Sequence, residues 1–207
     1  MEGCFLCNPE TGLVYWNDRT NIALCGLGPI VKGYSVVAPR SHVRSAADAA
    51  AGEAVEFLAF ASEVRAKLSE LYGPCLLTEH GRLPVCVDVS GTTDPHCYHA
   101  HFLMFPGVST LEDKARSYFA HVKYAFSLAD ALAIARDENE YFLLSPNSQR
   151  FVIMTRPGKL IRQFARLLVA ESLGRPELAN WRRYSLREET ASAAAELRSV
   201  FTEGRSS

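Results

Sequence analysis

The 207-residue sequence has no apolar run long enough to span a bilayer, so no transmembrane segment is expected. Its opening Met-Glu-Gly-Cys carries no basic region and no apolar stretch, so no secretory leader is expected and the cytoplasm is the expected compartment. Charge of one sign is scarce: 22 Lys and Arg stand against 23 Asp and Glu, a net of −1. That balance gives no ground for stable nucleic-acid binding. There is no internal repeat and no low-complexity tract. The length suits one domain with an appendage, or at most two small domains. A hydrophobic content of 48% with 22% charged residues is that of a globular chain with a real core.

The small net charge hides an asymmetry. Residues 1–149 hold 11 basic against 17 acidic residues, and residues 150–207 hold 11 against 6. A basic C-terminal part suits an anionic ligand, or is simply a solvated helix face.

All six histidines and all six cysteines fall in the first 121 residues. In a reducing compartment such cysteines are thiols or metal ligands rather than disulfides. The densest stretch is Pro95-His-Cys-Tyr-His-Ala-His-Phe-Leu-Met-Phe-Pro106, which holds His96, His99 and His101. On a strand, His99 and His101 project from one face, and Tyr98, Ala100, Phe102 and Met104 from the other. Two such imidazoles can bind a metal, act as nucleophile and general acid, or grip phosphate. They can also be no more than a half-buried polar face.

The expected elements are short strands at 12–16 and 21–25 around an Asn17-Asp18-Arg19 turn, and a strand at 34–38 closed by Pro39. A helix is expected from about Ser45 to Leu71, with Phe57, Ala61, Val64, Leu68 and Leu71 as its apolar stripe and Gly73-Pro74 as its stop. Strands follow at 75–78, 97–105, 121–125, 140–144 and 150–155, with a polar loop at 82–95. Helices are expected at 111–117, 159–173 and 186–201. The fold class is α+β with an antiparallel sheet.

Cys4-Phe-Leu-Cys7 is a frequent half of a zinc site, with both thiolates on one turn. The same motif serves redox pairs, but no βαβ pattern surrounds it here. His42 follows a strand and a proline and is well fixed. Cys4, Cys7, His42 and His99 would close a structural zinc site and leave His101 outside it. Cys25, Cys75, Cys86 and Cys97 read as small core residues.

His99-Ala-His-Phe-Leu-Met-Phe-Pro106 resembles the histidine-triad superfamily motif, which in one branch runs close to His-Ala-His-Leu-His-Leu-Phe-Pro. Gly28-Pro-Ile-Val-Lys-Gly-Tyr-Ser-Val-Val-Ala-Pro-Arg-Ser-His42 is similar to that family's Gly-Pro-x-x-x-Gly-His-x-Leu-x-x-Pro-x-x-His segment. Cys4 and Cys7 match the zinc-containing members, among them galactose-1-phosphate uridylyltransferase-like enzymes. Thr78-Glu-His-Gly81 is similar to a segment of bacterial relatives. So are Gln163-Phe-Ala-Arg166 and Trp181-Arg182.

The resemblance implies a HIT-like antiparallel sheet with a long helix. It implies a catalytic domain over 1–150 and a C-terminal helical extension over 151–207, packed on the same domain. It also implies zinc as a structural cofactor, a nucleotide or other phosphate-containing small molecule as partner, and a homodimer. The implied activity is that of a nucleotidyl hydrolase or transferase, acting on compounds such as dinucleoside polyphosphates through a covalent nucleotidyl-histidine on His101. Two alternatives are a catalytically impaired nucleotide-binding or regulatory protein, and a biosynthetic transferase with a specialised acceptor.

Two positions depart from the pattern. The third histidine is Leu103, which cannot hydrogen-bond. His96, placed where many relatives have a Ser or Thr that contacts phosphate, is the expected replacement. The ribose-binding Asp or Asn of many members falls on Gly26. His80 beside Glu79 is a candidate for substrate contact, as half of an acid–base pair at a strand end, or is a loop histidine near the surface. Lys159, Arg162 and Arg166 would share one face of the 159–173 helix and hold phosphate, with Gln163 in reach of the same group. Trp181 would stack on a base or pin the tail to the core.

Overall fold

The structure, a computed structural model, describes residues 4–85, 98–109 and 111–203. Strands β1 (Val14–Asn17) and β2 (Asn21–Cys25) form a hairpin. Its turn is held by Asp18, whose Oδ1 accepts the main-chain N–H groups of Thr20 at 2.8 Å and Asn21 at 2.6 Å. Strand β3 (Ser35–Pro39) follows, then helix α1 (Ala51–Tyr72), which Gly73 ends with a φ of 89°. Strands β4 (Cys75–Glu79) and β5 (Phe102–Pro106) come next, then α2 (Glu112–Arg116) and β6 (Phe119–Ala125). The chain continues as α3 (Leu128–Arg136), β7 (Tyr141–Asn147), β8 (Arg150–Pro157), α4 (Phe164–Ser172) and α5 (Arg187–Glu203).

The strands form one sheet in the order β1-β2-β3-β5-β4-β7-β8-β6, with every neighbouring pair antiparallel. This is the α+β class read from the sequence. Among the described residues no helix is long and apolar enough to cross a membrane.

Alternation along the strands sends side chains to two cores, one on each face. Phe102, Met104, Leu77 and Leu143 face α1, α3 and α5, where Phe57 stacks on Phe102 at 4.8 Å. Leu103, Phe105, Leu76 and Phe142 face α4 and the N-terminal segment. Burying each such side chain contributes roughly 1.5–3 kcal/mol. The α1 stripe holds at Phe57, Ala61, Val64 and Leu68, while Leu71 is exposed and Arg65 is buried instead. Arg65 is satisfied there by the carbonyls of Cys75 and Ser145 and the Ser145 hydroxyl.

Five local expectations are corrected. Helix α1 begins at Ala51 rather than Ser45, because the Ala46 N–H is drawn to the Glu79 carboxylate at 2.7 Å and Ala50 is extended. Strand β5 begins at Phe102, so His99 and His101 precede it; the Ala100 N–H pairs with the Val43 carbonyl at 2.7 Å instead of joining the ladder. Helix α4 begins at Phe164, because Gln163 is left-handed at φ 59° and its N–H binds the Val85 carbonyl. Strand β8 lies inside the sheet between β7 and β6, so the appended part starts after Pro157, not at residue 151. Helix α3 is not among the expected elements.

Candidate functional site

The segment before β1 folds over the α4 face of the sheet and buries Cys4 and Leu6 there. A turn closed by Asn8 N–H on the Cys4 carbonyl carries Cys4 and Cys7. His42, just beyond β3, and His99, just before β5, meet them from the sheet. Cys4 Sγ lies 3.3 Å from His99 Nδ1, Cys7 Sγ lies 3.2 Å from His42 Nδ1, and Cys7 Sγ lies 3.6 Å from His99 Nδ1. One ligand atom from each of the four residues falls within 4.8 Å of all the others.

This arrangement fits a metal ion. Bonds of about 2.0–2.3 Å in a tetrahedron give donor–donor edges of roughly 3.3–3.8 Å, and the sulfur–nitrogen distances match them. The second shell fits as well. His99 Nε2–H donates to the Pro39 carbonyl at 2.7 Å, which leaves Nδ1 with its lone pair toward the sulfurs. Burial holds His99 down to about 4, so it stays neutral. Burial, then the neighbouring Cys4 thiol, pushes the Cys7 thiol up. A bound cation would therefore have to displace thiol protons. The four residues expected to hold a metal are thus together and can bind one.

His101 is half-buried. Its Nδ1–H donates to the His99 carbonyl at 2.7 Å, which fixes the tautomer with Nε2 unprotonated. Burial lowers its pKa, against the pull of that hydrogen bond. His80, just beyond β4, lies close enough to His101 to feel its charge. His80 stacks on Phe142 at 5.8 Å and accepts the Ala165 N–H on Nε2 at 3.0 Å, capping the start of α4. Burial, with His101 alongside, holds His80 down to about 3, so it is a neutral imidazole rather than an acid.

The other members of Glu79-His80-Gly81 are structural. Glu79 is buried and accepts the Ala46 N–H and, at 2.6 Å, the Tyr141 hydroxyl. Gly81 lies under the Tyr141 ring, where a Cβ would come within 2.3 Å of ring carbons. Glu79 and His80 therefore do not form an acid–base pair. They belong to two separate hydrogen-bond sets.

Leu103 is buried on the His101 face. Opposite it, Thr78 Oγ1 is the one buried side-chain oxygen or nitrogen among the described residues without a hydrogen-bond partner. No spacing in the sequence marks Thr78 as a partner of position 103. Its place beside Leu103 is visible only in the register.

The basic residues of the C-terminal part separate. Lys159 and Arg162 precede α4, so they share no helix face with Arg166. Arg166 is buried. It donates to the carbonyls of Leu27, Gly28, Leu178 and Ala179, and its guanidinium stacks on Tyr34 at 5.0 Å. Arg162 and Gln163 instead line a pocket of about 440 Å³ together with Trp181, which is half-exposed and packs on Gly28. The Gly26 position has no space for a side chain, since a Cβ would lie 2.1 Å from the Tyr34 ring. Cys25 and Cys75 are buried thiols pushed up to about 12, as inert core residues would be. His96, Cys86, Cys97 and most of the 82–95 loop lie outside the described residues.

No protein-family profile and no curated protein matches this chain. Among solved structures, it is similar to the crystal structure of SMU.412c from Streptococcus mutans UA159. That match has a TM-score of 0.42 and 19% identity over 53% of this chain and 69% of the other.

Proposed function

We propose that this chain is a histidine-triad-like nucleotidyl hydrolase or transferase, with a structural zinc ion in Cys4, Cys7, His42 and His99 and with His101 as nucleophile. One observation carries the reading: His101 Nδ1–H is tied to the His99 carbonyl at 2.7 Å, while His99 itself belongs to the metal cluster. Nε2 of a half-buried imidazole then keeps a lone pair whose direction is set by the cluster. Two sulfurs and two imidazole nitrogens, all within 4.8 Å of one another, are a donor set that zinc prefers.

In this scheme His101 Nε2 attacks the α-phosphorus of a nucleoside phosphate derivative. A nitrogen–phosphorus bond forms, and the bond to the leaving phosphate oxygen breaks with its electron pair. The leaving group takes a proton from solvent. Water or another acceptor hydroxyl then attacks the same phosphorus, releases the nitrogen and loses its own proton. This is covalent catalysis in two displacements. Bound zinc would supply folding free energy and a fixed His99, with no part in bond making. Tyr34 at the Gly26 position means that no carboxylate there holds a ribose, so substrate recognition must draw on other residues.

Leu103 supports the second reading, a nucleotide-binding protein with impaired catalysis, because it donates nothing to the phosphate. Intact-mass analysis after incubation with a panel of dinucleoside polyphosphates and nucleotide sugars separates the two. A nucleotidyl adduct on His101, absent from His101→Ala, supports the enzyme. Binding of the same compounds with no adduct and no turnover supports the second reading.

A further inference from the structure

The segment between β8 and α5 builds a pocket that the metal cluster and His101 do not use. Its volume is about 440 Å³, and its lining includes Arg162, Gln163, Asn180, Trp181, Arg182 and Arg183. Three arginines are among its lining, Arg182 over the Trp181 ring at 5.6 Å and Arg183 over the Tyr184 ring at 5.6 Å, and guanidinium groups are the donors an anion would meet there. The volume is that of a small-molecule site and suits one nucleotide-sized ligand. An indole and two carboxamides give such a ligand something to recognise besides charge.

The pocket is built by buried contacts. Arg166 stands behind it and ties the Pro176–Ala179 turn to the loop at Leu27 and Gly28 through four carbonyl oxygens. Trp181 rests on Gly28, whose N–H binds the Ser185 carbonyl at 2.7 Å. Gln163, in the pocket wall, takes a left-handed conformation and donates its N–H to Val85. Two residues on, the Ala165 N–H binds His80, which has His101 for an electrostatic neighbour. One short stretch of main chain therefore links the wall of the pocket to the histidine pair.

We infer that this pocket is a second subsite, which holds an aromatic ring bearing a phosphate chain: the nucleoside phosphate half of the substrate that leaves when His101 takes the other half, or the half that accepts it. The inference rests on the function proposed above for its connection to His101. The binding it predicts is tested without that chemistry. The arginines take the phosphates, and Trp181 and the carboxamides take the ring. Residues that the sequence grouped as one phosphate-binding helix face are thus divided between a pocket wall and, at Arg166, its scaffold.

The test is calorimetric titration of the full-length His101→Ala chain, which cannot form the adduct, with ADP, pyrophosphate and adenosine. ADP is expected to bind, with pyrophosphate and adenosine each at least about tenfold weaker. Arg183→Glu and Arg162→Glu, each added to that background, should weaken ADP by about tenfold or more with the thermal midpoint unchanged. ADP should also quench Trp181 emission in a Trp16→Phe chain. Equal binding of ADP and pyrophosphate would overturn the ring subsite, and undiminished ADP binding in both arginine variants would overturn the site itself. Failure of the covalent mechanism is read separately, as no adduct on His101 of the unmodified chain.

Discussion

His99 serves two neighbours at once: its ring nitrogen lies 3.3 Å from the Cys4 sulfur, and its main-chain oxygen accepts the His101 Nδ1–H at 2.7 Å. The candidate metal cluster and the proposed nucleophile therefore share a residue. His101→Ala should lose turnover by on the order of 10⁶-fold, the scale of removing a nucleophile, and keep its metal content. His99→Ala should lose both. Metal analysis beside a rate assay checks this, and a His101→Ala chain that has lost its metal would contradict the division of labour.

Metal binding should fall with acid. Binding has to displace the proton of the Cys7 thiol, which burial and then the neighbouring Cys4 push up, so affinity drops as pH falls. The purified chain should carry about one zinc per molecule, and Cys7→Ser should lose it together with much of the stability. The readouts are elemental analysis and a melting curve with and without chelator. A chelator that leaves the melting midpoint unmoved would remove the structural role.

Glu79 and His80 should tilt stability in opposite directions with pH. Burial pushes the Glu79 carboxyl up to about 7. Its contribution is complete below the ordinary carboxylate value of about 4.3 and is lost as pH rises through the folded value. His80 is held down to about 3, so its contribution is complete above about 6.5 and is lost as pH falls. Between roughly pH 4.5 and 6.5 the two slopes oppose each other, each at most about 1.4 kcal/mol per pH unit. Glu79→Gln keeps an oxygen for the Ala46 N–H and an amide for Tyr141. The stability difference between this variant and the unmodified chain should change steadily across that window. A difference that stays flat with pH would mean Glu79 is ionised in the fold.

Thr78→Val should raise stability by about 1 kcal/mol, because it removes a buried hydroxyl that has no partner and keeps the shape. Leu103→His, directly opposite, should cost less stability with Thr78 in place than in the Thr78→Val background, since the new imidazole can meet the hydroxyl. A double-mutant cycle measures that coupling. A coupling of zero would show that Thr78 Oγ1 points away from position 103.

The sequence makes the strands and α1 legible because their apolar residues recur with clear periods and end at Pro39, Gly73 and Pro106. It makes the metal cluster legible because few residue types ligate zinc. It hides what long-range contacts decide. Helix α3 escapes a periodicity reading although Ser127 caps it by accepting the Asp130 N–H, a Ser-x-x-Asp signal overshadowed by the alanine-rich run behind it. The start of α4 depends on Val85, and the role of Arg166 on the carbonyls of Leu27 and Gly28. Neither can be read from local spacing. The filling of the Gly26 position by Tyr34 is a tertiary contact of the same kind.

Arg166 also sets an order of events during synthesis. The carbonyls it grips at Leu27 and Gly28 lie 139 and 138 residues earlier in the chain. Arg198 of α5 reaches back further still, to the Val14 carbonyl of β1, across 184 residues. The first hairpin therefore leaves the ribosome long before its final neighbours exist, and its outer strand waits with one edge uncovered. Completion of the N-terminal part has to wait until α4 and α5 have been made. A nascent chain halted after β8 would offer that edge to chaperones rather than to α5.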